Sequence, residues 1–197
     1  MTSPWSATWK LVRSLTPGGQ GNAQLVERIS NPDEKAVIKS LHERWWENAQ
    51  ARHRMKDEVE TLLKLQGTAA RVPAIIESNV DAKEPYFVMS YVDGISFDSI
   101  FKKPHEVDIS YENAIAITMD LANTIEVCHQ RKIIHRDLKP ANILINNNGK
   151  AFLTDAGLAG RLDELGKTFS QVPLGTLEYM PPEQATGHGD AADPYAT

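Results

Sequence analysis

Two carboxylates and one amide carry the most conspicuous chemistry in this chain. Asp137 and Asn142 lie five residues apart, and Asp155 follows just beyond a short predicted hairpin, so one loop and one strand end can bring three hard oxygen donors together. Donors of this kind suit Mg2+. Lys139 stands between the first two, and Lys39 lies upstream in an apolar run, so cations are available for a polyanion such as a nucleotide triphosphate. Moving a phosphoryl group requires metal ions, donors and a positioned nucleophile rather than covalent help from the protein. An isolated Asp or Asn more often caps a turn, so the argument rests on the order and spacing of the whole set.

The elements that must hold these residues can be read from periodicity. Trp5, Ala7, Trp9 and Leu11 alternate with polar or small residues, and Ala23 to Ile29 and Val37 to Leu41 are short strand-like runs around glycine-rich or Asn-Pro turns. An antiparallel sheet is predicted there. Between Glu43 and Leu65 the period changes: Val59, Leu62, Leu63 and Leu65 have helical spacing, no Gly or Pro interrupts, and Gly67 stops the run. Strand character returns at Val72 to Ile76 and Tyr86 to Val92, and extended structure is expected to end at Asp93-Gly94, the expected lobe boundary. Tyr111 to Gln130 reads as a largely buried helix, and Ile143 to Ile145 with Ala151 to Leu153 as a hairpin around Asn146 to Gly149. The polar residues would then sit on loops braced by a scaffold.

Composition narrows the function classes. The 197 residues are 41% hydrophobic, enough for a real core, and the net charge of -5 argues against a mainly electrostatic partner such as nucleic acid or anionic lipid. The single cysteine, Cys128, lies in an apolar helical run and reads as a buried structural thiol, which favours a reducing, cytoplasmic setting. Met1 to Lys10 has neither a long apolar run nor a basic start, so no signal peptide or membrane segment is expected.

The stretch His135-Arg136-Asp137-Leu138-Lys139-Pro140-Ala141-Asn142 resembles the catalytic loop of protein kinases, and Leu153-Thr154-Asp155-Ala156-Gly157 resembles their metal-binding triplet. The resemblance implies an α+β, two-lobed fold: an antiparallel β-sheet N-lobe with one long helix in residues 1–92, and a mainly α-helical, incomplete C-lobe in residues 93–197. It also implies ATP-dependent phosphorylation of Ser or Thr hydroxyls on proteins, with ATP and Mg2+ (or Mn2+) bound. Asp137 would accept or orient the proton of the substrate hydroxyl, and Lys139 would support the transferred group. Asn142 and Asp155 would hold metal.

The remaining motifs follow the same order. Ala36-Val37-Ile38-Lys39 is similar to the third strand of the family, with Lys39 on the phosphates and Glu58 as its partner. Glu58 is preferred to Glu60 because Leu62 and Leu65 fall four and seven positions beyond it, on a face that packs inward. Gly19 and Gly21 resemble the glycine-rich phosphate loop, with Gln24 in place of the third glycine. Val26, Ala36 and Leu144 would bind ATP with Met89, Ser90, Tyr91 and Val92, Met89 limiting the rear pocket and Ser90 to Val92 lending backbone groups to adenine. Gly175 to Gln184 resembles the end of the activation segment as bacterial serine/threonine kinases write it, with Thr176 and Glu183 in the expected places. Lys139 and Thr176 favour a Ser/Thr acceptor, and Arg136 points to phosphorylation at Thr168 or Ser170.

Three departures are visible. Besides Gln24, Ala156 replaces the aromatic of the triplet, and a cavity behind His135 or a shifted helix is expected, at a typical cost of about 2 to 5 kcal/mol. The resemblance begins near Leu11 and continues to the end of the chain. The family's last helices, including a basic partner for Glu183, do not follow Asp193 to Thr197, so a fragment is expected, with helix 111–130 partly uncovered. These departures motivate an alternative: a pseudokinase-like module that binds nucleotide and partners with little turnover. A small-molecule kinase would not be expected to carry both His135 to Pro140 and Gly175 to Gln184.

Overall fold

The computed structural model describes residues 3–15, 21–102, 109–155, 160–161 and 177–179. They form two compact units: Met1–Leu63 with Pro73–Tyr91, and Lys64–Val72 with Val92–Thr197.

The first unit is built on a five-stranded antiparallel sheet of β1 (Trp9–Ser14), β2 (Gly21–Arg28), β3 (Asn31–Leu41), β4 (Ile75–Asn79) and β5 (Tyr86–Ser90), in the order β1-β2-β3-β5-β4. Register sorts the side chains between two faces, because directly opposed residues share a face and neighbours alternate. Val26 opposite Ala36, and Ile38 opposite Val88, lie on one face with Tyr86; Trp5 and Trp9 complete that buried cluster. Trp9 Nε1 and the Tyr86 hydroxyl both donate to the Glu77 carboxylate, at 3.3 and 2.6 Å, and the Arg28 guanidinium stacks 4.3 Å from the Trp9 ring centre. The other face carries Ala23, Leu25, Val37, Lys39, Phe87 and Met89, with Ala23 opposite Lys39 and Leu25 opposite Val37.

The single helix expected from Glu43 to Leu65 is divided. Glu43–Trp45 forms a 3-10 turn, and the α-helix, α1, runs from Ala49 to Leu65. Asn48 explains the new start: its Oδ1 accepts from Ala51 N at 2.9 Å, satisfying a donor that the helix cannot. Trp46 Nε1 donates to Leu41 O, and the Arg52 guanidinium donates to Trp46 O and Ala82 O, so residues 42–48 turn back over the ends of the sheet instead of extending the helix. Gly67, with φ of +75°, follows the last turn as a left-handed stop. The strand expected at Val72 to Ile76 begins later, at Ile75. Pro73 has no N–H for a ladder, and Ala74 instead bonds to Ser90 through both its N–H and its carbonyl.

In the second unit, α3 (Tyr111–Gln130) begins at Ser110, whose side chain accepts from Asn113 N. A small sheet of β6 (Gly94–Ser96), β8 (Ile143–Asn146) and β9 (Ala151–Leu153), in the order β6-β8-β9, lies against α3. Ile117, Ile143, Ala151 and Leu153 form its core. The short α2 (Phe97–Lys102) follows β6, and β7 (Ile133–Ile134) pairs with β10 (Gly160–Arg161). Extended structure therefore does not end at Asp93-Gly94. Gly94 begins β6 opposite Asn146, and a Cβ there would stand 2.1 Å from Ile145 O, so only glycine permits the pairing. A second cluster joins Leu65, Cys128 and Ile133; burial pushes the Cys128 thiol up to about 11. On α3, Tyr111, Ile115 and Met119 are exposed.

Candidate active site

Lys39 projects from β3 beside Ala23 and Phe87, and its Nζ meets Glu58 Oε1 of α1 at 2.6 Å. Glu58 is 8% exposed although it carries a carboxylate, whereas Glu60 two residues on is exposed. A buried carboxylate needs its cation, so the pair fixes both the helical register and the extended course of the lysine.

The second unit assembles a tighter cluster. Asp137 Oδ2 accepts from Asn142 Nδ2 at 2.9 Å and pairs with Lys139 Nζ at 2.8 Å. The same Nδ2 donates to Asp137 O, so both amide protons of Asn142 are used and its Oδ1 makes no hydrogen bond among the described residues. Asn142 O in turn accepts from Thr154 N and Thr154 Oγ1, at 2.8 and 3.1 Å. Thr154 therefore ties the catalytic-loop stretch to the strand end that carries Asp155.

His135 adds another tie. It is 4% exposed, and its Nε2 lies 3.0 Å from Thr154 O, which can only accept, so Nε2 carries the proton. Burial lowers its pKa, against the upward pull of the Thr154 carbonyl and of Asp137 and Asp155, and the ring works as a neutral strut. Arg136 and Asp155 have φ of 63° and 60°, left-handed values that cost a non-glycine residue roughly 1 to 2 kcal/mol. The hydrogen bonds at His135, Asn142 and Thr154 enforce both.

A further brace lies deeper. Asp120 of α3 accepts from Arg71 Nε at 3.2 Å and from Ala151 N at 3.3 Å, and Thr124 Oγ1 accepts from Arg71 N while donating to Asp120 O. Leu153 N donates to Arg71 O. Helix α3, the segment before β4 and the hairpin carrying Asn142 and Asp155 are thus one hydrogen-bonded body. Nothing in local periodicity links Arg71 to Asp120, and no motif includes Thr154 as a brace, so sequence reasoning missed them.

The structure redistributes the residues expected to bind ATP. Val26 and Ala36 are fully buried on the Trp9 face of the sheet, opposite to the face of Lys39. They cannot line a site on the Lys39 side, where Leu25 and Val37 stand instead. Ser90 lies opposite Ala36, and its N–H and hydroxyl are both engaged with Ala74, which removes that N–H from nucleotide recognition. Met89, opposite Val37, shares the face of Lys39. Tyr91 and Val92 follow β5 directly, and Leu144 lies opposite Ser96 and Phe152, half-buried on the side of its sheet away from the Ile143 core. Gly21 is required by contact: a Cβ would sit 2.3 Å from Ser40 O. Gln24 is opposite Ile38, on the face away from Lys39. Gly19, Ala156, Thr168, Ser170, Thr176 and Glu183 lie outside the described residues.

Residues 9–197 match the family model described as the protein kinase domain. The chain belongs to the protein kinase family. The chain is 29% identical to the serine/threonine-protein kinase PknA of Mycobacterium tuberculosis, over 97% of its own length and 45% of that protein. It is 27% identical to a probable serine/threonine-protein kinase PknB of Lactococcus lactis, over 91% of its length and 28% of the relative. Over a shorter stretch, 52% of its length, it is 40% identical to PknB of Mycolicibacterium smegmatis. This kinase domain therefore spans less than half the length of these curated relatives. Membership implies ATP and a divalent metal, on an α+β fold with an antiparallel-sheet N-lobe. Among the described residues no helix is long and apolar enough to cross a membrane.

Proposed function

We propose that this kinase domain transfers the γ-phosphoryl group of ATP to Ser or Thr hydroxyls of a protein, using Mg2+. The observation that carries the reading is the Asp137-Lys139-Asn142 cluster, because its hydrogen bonds leave the right atoms over. With Oδ2 of Asp137 committed to Lys139 and Asn142, Oδ1 remains to orient the acceptor hydroxyl and take its proton. Lys139 offsets charge on the transferred group. With both amide protons of Asn142 used, its oxygen is a metal donor, and with Asp155 it forms a hard-oxygen set that fits Mg2+. Bound there, the metal would neutralise charge on the phosphate oxygens. Lys39, straightened by Glu58, engages the phosphates; Leu25, Val37 and Met89 provide apolar contact for the base, and Tyr91 and Val92 its backbone partners.

The same proposal includes a nucleotide-binding N-lobe in residues 1–92, a catalytic portion in residues 93–197, activation-segment phosphorylation at Thr168 or Ser170, structural roles for Thr176 and Glu183, phosphate contact at Gly19 and Gly21, and an ATP-binding role for Leu144. A protein substrate, no role for nucleic acid, and a cytoplasmic setting complete it, supported by the acidic charge and the buried lone thiol of Cys128. The register weakens one motive for the non-catalytic alternative, because residue 24, the missing glycine, points away from the Lys39 face.

The test is label transfer from γ-labelled ATP to a casein acceptor with Mg2+, followed by identification of the phosphorylated residue. Phosphoserine or phosphothreonine is expected, with none from Asp137→Asn. Nucleotide binding with equal background transfer by both proteins would establish the binding module instead.

A further inference from the structure

The first unit has a concave site at the sheet ends, where Gln24, Ser40 and Tyr86 present the face away from Lys39. A cavity of about 240 Å³ opens between the N-terminal segment at Trp5, the paired strand ends at Ser40 and Tyr86, and the turn at Trp46. Its volume is below the range of drug-sized pockets and suits a single side-chain-sized group. Trp5, Trp46 and Tyr86 give it aromatic walls, and Glu43 and Glu84 contribute carboxylates. Among the described residues no Lys or Arg lines it. Among the described residues, neither carboxylate forms an ion pair or a hydrogen bond, and the side chains of Gln24 and Ser40, also on the wall, are equally without partners. Three carboxylates elsewhere in this unit do find cations, Glu27 with Lys10, Glu34 with Arg28 and Glu58 with Lys39, whereas Asp33 and Glu47 form no ion pair among the described residues. Unmatched negative charge beside aromatic faces is the arrangement that receives an organic cation, and the planar guanidinium fits best because it stacks on aromatic rings and forks onto carboxylates.

We infer that this cavity is a guanidinium-binding site, taking an arginine-type cation by stacking against Trp5 or Trp46 with Glu43 and Glu84 as counter-charges. An anion has no donor cluster to meet it. A neutral amide could use Gln24 and Ser40 but would leave both carboxylates unmatched. Of its sheet residues, Asn22, Gln24, Ser40 and Tyr86 belong to the face away from Lys39 and Leu41 ends β3, so occupancy is expected with or without ATP.

The experiment is a tryptophan-fluorescence titration of the whole chain, since two of its four tryptophans line the cavity. The probes are N-acetyl-arginine amide, its uncharged isostere N-acetyl-citrulline amide, and the tripeptide acetyl-Gly-Arg-Gly-amide. Saturable binding of the arginine probes, at least about tenfold tighter than citrulline and weakened by salt, is expected. The double variant Glu43→Gln with Glu84→Gln should lose about tenfold while its unfolding midpoint stays that of the wild type. A tripeptide tighter than the free amide identifies a peptide-borne arginine as the ligand; the reverse order identifies a free one. Equal binding of citrulline, undiminished arginine binding by the double variant, or no saturation by either arginine probe overturns the inference.

Discussion

Replacing Glu58 by Gln keeps the shape and an acceptor oxygen while removing the charge that faces Lys39. The 2.6 Å pair has side-chain exposures of 19% for Lys39 and 10% for Glu58. At an effective dielectric of about 20, Coulomb attraction at that distance is roughly 6 kcal/mol, and desolvation of two ions offsets most of it. Discounting further for the partly exposed lysine leaves a coupling of about 2 kcal/mol. Glu58→Gln and Lys39→Met should each lower stability by about 2 kcal/mol, and the double variant should cost about 2 kcal/mol less than the sum. In urea this is a midpoint shift of about 1 M per single variant, read by tryptophan fluorescence. Glu60→Gln, at an exposed position of the same helix, should stay within about 0.5 kcal/mol of the wild type. Strict additivity in the double variant, or a Glu58 effect no larger than that of Glu60, would refute the pairing argument.

Three further outcomes follow from the second unit. Asn142→Ala removes the proposed metal oxygen and both hydrogen bonds that hold Asp137, so kcat should fall at least about 100-fold, with a weaker dependence on Mg2+ concentration. Asp120→Ala deletes the acceptor for Arg71 and Ala151 N, and should lower Tm by roughly 4 to 8 °C, corresponding to about 2 kcal/mol, as measured by calorimetry. Cys128 supplies a pH test: its folded thiol is raised from 9.0 to about 11, so the unfolded chain ionises first. Its contribution is complete below pH 9 and disappears as pH rises to 11, a loss of up to about 3 kcal/mol in urea titrations that Cys128→Ala should abolish.

The Asp137-Lys139-Asn142 cluster was legible because it is local. Asp137, Lys139 and Asn142 lie within six residues, and Asp155 follows one hairpin later, so order along the chain nearly fixes proximity. The strand residues that share the face of Lys39 were less legible, since a strand shows opposite faces at successive positions and one residue of register exchanges them. Even so, parity held the signal: Ala36 precedes Lys39 by three and must face the other way, while Val37 precedes it by two. Placing Val26 and Ala36 beside Lys39 overlooked that alternation. The apolar pattern gave α1 its end but not its beginning, because Asn48 acts through one side-chain hydrogen bond and Trp46 through a bond back to Leu41. The brace of Arg71 on Asp120 spans 49 residues and depends on tertiary packing alone. Likewise, alternation marked Trp5 and Trp9 as strand residues, whereas Trp5 precedes β1 and covers the sheet face away from Lys39.

The central claim is that Asp137, held by Lys139 and Asn142, performs the chemical step of phosphoryl transfer. Its most direct measurement is the single-turnover rate of γ-phosphoryl transfer to casein at saturating Mg2+ and ATP, for the wild type and Asp137→Asn, with nucleotide affinity measured alongside. A rate lower by at least about 1,000-fold in the variant, with nucleotide affinity within about threefold of the wild type, is the predicted result. Equal single-turnover rates in the two proteins would contradict it.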